Sequence, residues 1–174
     1  QEALLAGVDM INDITGFRDD DSLGLLRDSD CALCIMHMQG DPQTMQQHPH
    51  YNDVVVEVTD FLTHRADAVM SDGIDSRRVC VDPGFGFGKT LEHNVGLLRH
   101  LGQIQRELGL PVLVGLSRKS IIGQLTGKPI EQRMAGSIAA ALFAIDQGAR
   151  IVRVHDVAET VDAINVWQAV KNVS

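Results

Sequence analysis

One unit recurs along the chain: a helical stretch ends, a glycine follows, and a short apolar run leads into polar residues. Glycine adopts the left-handed conformation that closes a helix C-terminus without steric cost, so each glycine predicts a helix stopping and a strand beginning. The glycines and the runs they precede are Gly7 before 8–13, Gly73 before 79–82, Gly109 before 112–117 and Gly148 before 151–156. A fifth apolar run, 33–37, has the same character without the glycine. The pattern predicts five strands connected by helices.

Helices are predicted between these strands, with apolar residues at helical spacing in most of them. Their predicted ranges are 22–27, 52–71, 91–108, 130–147 and 157–172. Strands that are apolar on both faces and alternate with helices indicate a parallel sheet of βα units, which is the α/β class.

Chain length decides between two parallel architectures. Five units in 174 residues are too few for a (β/α)8 TIM barrel, which typically needs about 250. We therefore expect a partial barrel holding strands 4–8 and their helices, in a fragment that lacks the first three βα units. The alternative is a complete five-stranded, doubly wound domain of the flavodoxin type. Either way, the absence of a linker-like segment predicts one domain over residues 1–174.

Composition limits the partners. A formal net charge of −8 and a pI near 5.2 leave no broad basic face for nucleic acid or an anionic membrane. A small anionic substrate would have to be met by a few placed cations. The sequence contains neither a stretch of about 18 apolar residues nor a basic leader, which predicts a cytoplasmic protein. The three cysteines lie within or beside apolar runs and are predicted to be buried, reduced thiols.

Polar side chains cluster where the predicted strands end. In parallel α/β folds the carboxyl ends of the strands form the ligand-binding face. The residues concerned are Asn12 and Asp13, Met36 and His37, Asp82, Ser117 to Lys119, and Arg153 with His155. A single polar residue at such a position can simply mark where a strand leaves the core, but five such ends indicate a site.

Arg153 and His155 suit a phosphate or diphosphate group. Residues two apart on a strand share a face, so both side chains should project together. A guanidinium binds phosphate in bidentate fashion, and an imidazole can donate a further hydrogen bond. The structural alternative is an ion pair between Arg153 and Asp156 or a neighbouring aspartate.

The glycine-rich run at 84–90 follows the acidic end of a predicted strand. Only three residues separate Gly84 from Gly88, so the run does not match a P-loop, and Lys89 breaks the dinucleotide-binding pattern. What fits is a loop that receives a flat aromatic ligand: Asp82 could accept paired hydrogen bonds from an amino-pyrimidine edge, and Phe85 and Phe87 offer ring contacts. A strand cap followed by a turn is the structural alternative.

Taken together, five motifs resemble the ordered motifs of the dihydropteroate synthase family. They are Ile-Asn-Asp-Ile at 11–14, Met-His-Met-Gln-Gly at 36–40, Asp-Pro-Gly-Phe-Gly-Phe-Gly-Lys at 82–89, Gly-Leu-Ser-Arg-Lys-Ser at 115–120 and Arg-Val-His-Asp at 153–156. The resemblance implies a role for nine residues. Asn12, Met36, Asp82, Gly115 and Lys119 would bind the pterin, Arg153 and His155 the diphosphate, and Phe87 and Ser117 the 4-aminobenzoate, in the pocket that sulfonamides occupy in this family.

The resemblance also implies a reaction: 4-aminobenzoate displaces diphosphate from 6-hydroxymethyl-7,8-dihydropterin diphosphate, with Lys119, Arg153 and His155 as the catalytic residues. Mg²⁺ would bind with the substrate diphosphate, and its protein ligand would lie in the missing N-terminal part rather than in this chain. Family members are usually homodimers through their C-terminal helices, a face that residues 139–143 could supply. Because the first three units are absent, we expect this chain alone to be inactive. Two alternatives are a pterin-binding domain of a corrinoid-dependent methyltransferase and a non-catalytic pterin-binding half-barrel.

Overall fold

The computed structural model describes residues 1–18 and 20–171. Its strands are β1 Met10–Asp13, β2 Ala32–Met36, β3 Val79–Asp82, β4 Leu113–Val114 and β5 Ile151–Val152. Its α-helices are α1 Glu2–Leu5, α2 Asp20–Arg27, α3 Val54–Ser71, α4 Leu91–Arg99, α5 Leu101–Leu108, α6 Ser120–Thr126, α7 Met134–Asp146 and α8 Val157–Lys171. Two short 3-10 helices lie at Ser76–Arg78 and Ile130–Gln132. The predicted α/β class is confirmed, and each predicted strand is present in shorter or equal form.

The strands run parallel and lie side by side in the order of the chain. β1 pairs with β2, β2 with β3, and β4 with β5, while a bridge between Val81 and Val112 joins β3 to β4. A doubly wound sheet of the flavodoxin type has the order 2-1-3-4-5, which would put β1 between β2 and β3 and not at the edge. The doubly wound alternative was therefore wrong, since sequential order is how a barrel is built.

The two faces of the sheet carry separate apolar clusters. Leu33, Ile35 and Val81 belong to the larger cluster, which is formed with the helices. On the opposite face, Cys34, Cys80 and Leu113 form a second cluster with Met10 and Ile151 packed against it. Successive strand residues point to opposite faces. Burial on both faces explains why the strands read as continuous apolar runs.

Glycine punctuation is confirmed at all four predicted positions. Gly7, Gly73, Gly109 and Gly148 have φ values of 77°, 97°, 63° and 100°, in the left-handed region that side chains other than glycine rarely adopt. Sequence patterning located these transitions because the conformational demand on glycine is local.

Helix boundaries differ from prediction in several places. The predicted helix 91–108 is two helices, because the backbone leaves the α-helical conformation at His100, where φ is −100° and ψ is 13°, and the ring Nδ1 of His100 lies 2.9 Å from Gly96 O. The predicted helix 130–147 begins as a 3-10 turn, and α7 starts only at Met134. The short helix α6 was not predicted. The predicted end of the last helix, Asn172, lies outside the described residues.

All three cysteines are buried and free, as predicted. Cys34 and Cys80 are direct neighbours in the register of β2 and β3. Within residues 1–18 and 20–171, no helix is long and apolar enough to cross a membrane.

Candidate functional site at the carboxyl ends of the strands

Five of the predicted site residues lie two positions after residues of the second, or inner, apolar cluster. Counting two residues on from Met10, Cys34, Cys80, Leu113 and Ile151 gives Asn12, Met36, Asp82, Gly115 and Arg153. A period of two keeps these residues on the face of the inner cluster. The strand ends therefore place five predicted residues on one concave face, and the register sets Met36 directly beside Asp82.

Exposure divides these residues into a base and a rim. Met36, Asp82, Gly115 and Ser117 are buried, Phe87 and Lys119 are half-buried, and Asn12, Arg153 and His155 are exposed. An exposed guanidinium and imidazole at the edge and a buried carboxyl below suit a ligand with an anionic end and a hydrogen-bonding aromatic end.

Asp82 is the buried carboxylate, with 1% of its surface exposed. Its Oδ1 accepts a hydrogen bond of 2.7 Å from the Gly84 N–H. Burial raises the pKa of this carboxyl, and the Gly84 N–H and the positive charge of Lys119 partly oppose that shift. A carboxyl whose Oδ1 is fixed by the backbone can direct its remaining acceptor capacity at a ligand.

The glycine-rich loop, residues 84–88, rests on the end of β2. Gly84, Gly86 and Gly88 all have positive φ, at 70°, 81° and 63°. A Cβ on Gly84 would lie 1.8 Å from His37 O, and one on Gly88 would lie 2.5 Å from Gln39 O. These contacts are with backbone atoms, so only glycine lets the loop approach this closely.

The two phenylalanines of this loop have different positions. Phe87 is half-buried, and Lys119 Nζ lies 4.7 Å from its ring centroid, within cation–π range. Phe85 has no exposed surface and belongs to the main core. The expectation that Phe85 offers its ring to a ligand was therefore wrong: the left-handed backbone at Gly84 and Gly86 interrupts strand-like alternation, so Phe85 and Phe87 do not share a face.

Lys119 reaches back across the site to the glycine-rich loop. Its Nζ donates a hydrogen bond to Phe85 O. Burial lowers the pKa of Lys119 to about 8, an effect that Asp82 opposes and Arg153 reinforces. An amine that titrates near neutral pH and has a carboxylate nearby can donate hydrogen bonds to a neutral, polar ring.

Arg153 lies beside Gly115, and His155 lies beside Ser117, just after β4. The Arg153 guanidinium occupies the space beside Gly115, where Nη2 would lie 2.9 Å from an added Cβ. Both the backbone N–H and the Nδ1 of His155 contact Ser117 Oγ, at 3.1 and 3.0 Å. Both side chains therefore lie beside the same short segment, 115–117.

Asp156, the alternative partner for Arg153, pairs with a different arginine. Arg118 forms an ion pair with Asp156, in which Nε lies 3.1 Å from Oδ2. The Asp156 side chain is 13% exposed, and Arg118 holds the pKa of that carboxyl below its usual range. The proposed ion pair between Arg153 and Asp156 was wrong, which leaves the Arg153 fork directed at the site.

Arg118 has a positive φ of 57°, which is uncommon for a residue other than glycine. Its N–H donates to Ser137 Oγ at 2.9 Å, and its carbonyl accepts from Arg133 Nη1 at 2.9 Å. These contacts hold the turn that separates Ser117 from Lys119, so both side chains can reach the same face.

Three side chains that support the site were given no role from sequence: Lys89, Tyr51 and Gln46. Lys89 Nζ lies 2.9 Å from His37 Nδ1, and Tyr51 Oη donates to Gly88 O at 2.9 Å. Gln46 Nε2 donates to Gly86 O. The only sequence signal was a lysine inside an apolar glycine-rich run, because the other two contacts join segments about 40 residues apart.

Lys89 makes the stability of the protein depend on pH. Burial lowers the pKa of Lys89 from 10.5 to about 7. Between these values the unfolded chain binds a proton that the folded chain has released, so stability rises with pH across that window and is lower below it. Relative to Lys89→Met, the wild-type free energy of unfolding should increase by about 1 to 2 kcal/mol between pH 7.5 and 9.5. Urea unfolding of both proteins at the two pH values measures this, and a constant difference would contradict it.

The described residues contain no group of three or more His, Cys, Asp and Glu side chains arranged to hold a metal ion. At the strand ends, Arg153, His155 and Lys119 provide donors and positive charge, whereas Mg²⁺ requires oxygen ligands in octahedral geometry. This part of the site fits an anion and does not by itself fit a divalent cation.

The fold and this face define a parallel α/β protein whose polar side chains gather at its strand ends. The profile of a protein family described as pterin binding enzyme matches residues 1–155. The chain therefore belongs to the pterin-binding enzyme family.

Relatives in this family carry a more specific name. The dihydropteroate synthase of Neisseria meningitidis serogroup C is 50% identical over 167 residues, covering 95% of this chain and 59% of the relative. The chain thus spans about three fifths of the length of that curated relative. The resemblance inferred from the five motifs is confirmed.

Solved structures of the same enzyme share the fold. Dihydropteroate synthase from Xanthomonas albilineans, in complex with 7,8-dihydropteroate, superposes with a TM-score of 0.91 at 50% identity, covering 99% of this chain and 65% of that structure. The enzyme from Thermus thermophilus, in complex with 4-aminobenzoate, gives a TM-score of 0.92 at 48% identity, covering 98% and 69%.

Proposed function

We propose that this chain is the pterin-binding part of a dihydropteroate synthase, with its five strands corresponding to strands 4–8 of a (β/α)8 barrel and residues 1–174 forming one domain. The supporting observation is that the buried carboxyl of Asp82 and the exposed side chains of Arg153 and His155 lie at the carboxyl ends of parallel strands. Relatives at about half identity carry the name of this enzyme. The complete protein would make 7,8-dihydropteroate in folate biosynthesis.

In this proposal Asp82 accepts hydrogen bonds from the amino-pyrimidine edge of the pterin. Asn12 and Lys119 bind its polar edge, and Met36 packs against the ring. Gly115 lies close to the ring, and the Arg153 guanidinium fills the space that a Cβ on Gly115 would take.

The chemical step breaks the bond between the pterin methylene carbon and the diphosphate oxygen. The amine of 4-aminobenzoate forms a new bond to that carbon, the electron pair of the broken bond leaves with diphosphate, and the amine nitrogen releases one proton. Arg153 and His155 stabilise the negative charge that develops on the leaving group. Ser117 fixes the orientation of His155 through two contacts of about 3 Å, and Phe87 and Ser117 border the 4-aminobenzoate.

Mg²⁺ bound to the substrate diphosphate would neutralise part of its charge. The residues that this chain places beside the diphosphate are basic and do not fit the ion, so its protein ligand would lie outside this chain. Nothing in the roles given to Arg153 and His155 depends on the ion.

Arg153→Lys should weaken diphosphate binding although the charge is kept. The planar fork of arginine can make two parallel hydrogen bonds to one phosphate, whereas an ammonium group acts as a point charge. We expect the affinity for inorganic diphosphate, measured by calorimetry, to fall roughly tenfold. Arg150→Lys, at an exposed arginine before the same strand, is the matched control. Equal affinities for both variants would remove Arg153 from the diphosphate site.

The purified polypeptide should not turn over. β1 pairs with β2 alone and β5 with β4 alone among the described strands, so both sheet edges present unpaired backbone groups. Dihydropteroate formation, measured beside the full-length Neisseria meningitidis enzyme, should be undetectable. Rates near those of that enzyme would show that five units suffice.

Titration with the two substrates separates this proposal from its alternatives. Binding of the dihydropterin diphosphate followed by 4-aminobenzoate supports the synthase. Binding of pterin with no contribution from diphosphate or 4-aminobenzoate supports a corrinoid-dependent methyltransferase domain, and binding of neither supports a non-catalytic half-barrel. Arg153 and His155 at the end of β5 favour the synthase, because a methyltransferase has no diphosphate to bind.

A homodimer of the complete protein is part of the proposal, as is a cytoplasmic location. The outer faces of α7 and α8 expose apolar side chains, with Phe143, Val166 and Val170 exposed by 44%, 66% and 72%. An apolar face of this kind on two adjacent helices suits a self-complementary interface. Comparing the sedimentation of the complete wild-type protein with that of its Val166→Asp variant tests this assignment.

A further inference from the structure

The glycine-rich loop, residues 84–88, is held by side chains at every one of its carbonyl groups. Gly84 O and Phe87 O both accept from Lys89 Nζ, each at 3.0 Å. The remaining three carbonyls are bound as follows: Phe85 O by Lys119, Gly86 O by Gln46 and Gly88 O by Tyr51. A loop with three glycines would otherwise be mobile, so these contacts must fix its conformation.

Lys89 provides two of these five contacts and is the most buried of the donors. It is 4% exposed, and its Nζ lies 2.9 Å from His37 Nδ1 in addition to the two carbonyls. These three partners take up the hydrogen-bonding capacity of the amine, so none is left for a ligand. Lys89 therefore acts on the protein itself.

His37 completes the arrangement as an acceptor. Burial, followed by the charge of Lys89, lowers the pKa of His37 to about 3, so its ring is neutral and Nδ1 can accept. The ring is fixed by an edge contact with Phe61, whose centroid lies 4.9 Å away. The lysine is thus tied to the end of β2 on one side and to the loop on the other.

We propose that Lys89 is a positioning residue that sets Phe87 relative to Asp82, and so determines the affinity of the pterin-bound site for 4-aminobenzoate. This inference rests on the proposed function. It assigns a role to a residue that contacts neither substrate.

The positions of Asp82, which precedes the loop, and of Phe87, which lies within it, depend on Lys89 to different degrees. Asp82 is held without it, because Asp82 lies in β3, its carbonyl accepts from the His37 N–H at 3.0 Å, and its Oδ1 is bound by Gly84 N–H. Phe87 lies outside any strand, and its backbone is held by a 3.1 Å turn to Gly84 O and by Lys89. Loss of Lys89 should therefore move Phe87 and leave the carboxylate in place.

The test compares wild type with Lys89→Met by amide hydrogen exchange and by ligand titration. Lys128→Met, at an exposed lysine, is the matched control. In Lys89→Met the Phe87 amide should exchange at least roughly tenfold faster, while Val81 in β3 is unchanged. Affinity for dihydropterin diphosphate should stay within about threefold, and affinity for 4-aminobenzoate in its presence should fall roughly tenfold to a hundredfold.

Each other outcome counts against the inference. Unchanged exchange and unchanged 4-aminobenzoate affinity would show that Lys89 does not position the loop. An equal loss of both ligands would show a general structural role. If wild type binds neither ligand, the proposed function fails, and exchange at Phe87 still decides whether Lys89 positions that residue.

If Lys89→Met does not fold, His37 supplies a second pair of variants. His37→Leu removes one acceptor of the lysine, whereas His37→Gln keeps an oxygen that can accept. Faster Phe87 exchange and weaker 4-aminobenzoate binding in His37→Leu, with recovery in His37→Gln, support the inference. Equal behaviour of the two variants overturns it.

Discussion

Gly84→Ala should destabilise the protein by about 3 kcal/mol or more, because it combines a left-handed conformation with a backbone collision. Gly84 has a φ of 70°, and an added Cβ would lie 1.8 Å from His37 O. The colliding atom is a carbonyl at the end of β2, so relief requires the loop to separate from the strand. Urea unfolding measures the loss.

Gly127→Ala is the control for this substitution. Gly127 has nearly the same φ, 68°, at the end of α6, but nothing lies within 4 Å of its added Cβ. Its loss should be only the conformational part, about 1 to 2 kcal/mol. Equal losses for the two glycines would mean that the loop does not rest on β2 as described.

Asp82→Asn should weaken binding of the dihydropterin by about 1.5 to 3 kcal/mol, the usual value of a hydrogen bond to a charged group. The substitution keeps an oxygen that can accept from Gly84 N–H, so the loop should remain in place. It replaces an acceptor with an NH₂ donor that opposes the amino group of the ligand. Calorimetric titration with the dihydropterin diphosphate measures the change.

Asp67→Asn makes the same change of charge on the exposed surface of α3 and should leave affinity unaltered. This control separates loss of a specific contact from a change in net charge. If Asp82→Asn binds as tightly as wild type, Asp82 only caps the end of β3, as the structural alternative held.

The parts of the fold that sequence predicted are those set by local rules. Gly7, Gly73, Gly109 and Gly148 marked helix ends because their backbone conformation excludes other residues. The strands were found because burial on both faces leaves continuous apolar runs. Helix α6 was missed because its seven residues are too few to show helical periodicity.

Part of the site could also be predicted from a local rule, the two-residue period of a strand. Asn12, Met36 and Asp82 share a face because they follow Met10, Cys34 and Cys80 by two positions, a relation that can be counted along the sequence.

Contacts between distant segments could not be counted in this way. The partner of Asp156 proved to be Arg118 rather than Arg153, and the partner of Lys89 proved to be His37, 52 residues earlier. Phe85 and Phe87 are the same residue type, two positions apart in one loop, yet Phe85 lies in the core and Phe87 borders the site. Such choices follow from tertiary packing, which local pattern does not encode.

We expect one concave face at the strand ends to bind the dihydropterin diphosphate, and every role assigned above depends on this. Nuclear magnetic resonance of the ¹⁵N-labelled chain, titrated with this ligand, tests it most directly. The largest shifts should fall on the backbone amides of Asn12, Asp82, Gly115 and Arg153, and on the loop 84–88, with the ligand ³¹P signals shifting in wild type and less in Arg153→Lys. Shifts confined to other surfaces would contradict this assignment. So would the absence of shifts at a ligand concentration that saturates a full-length relative.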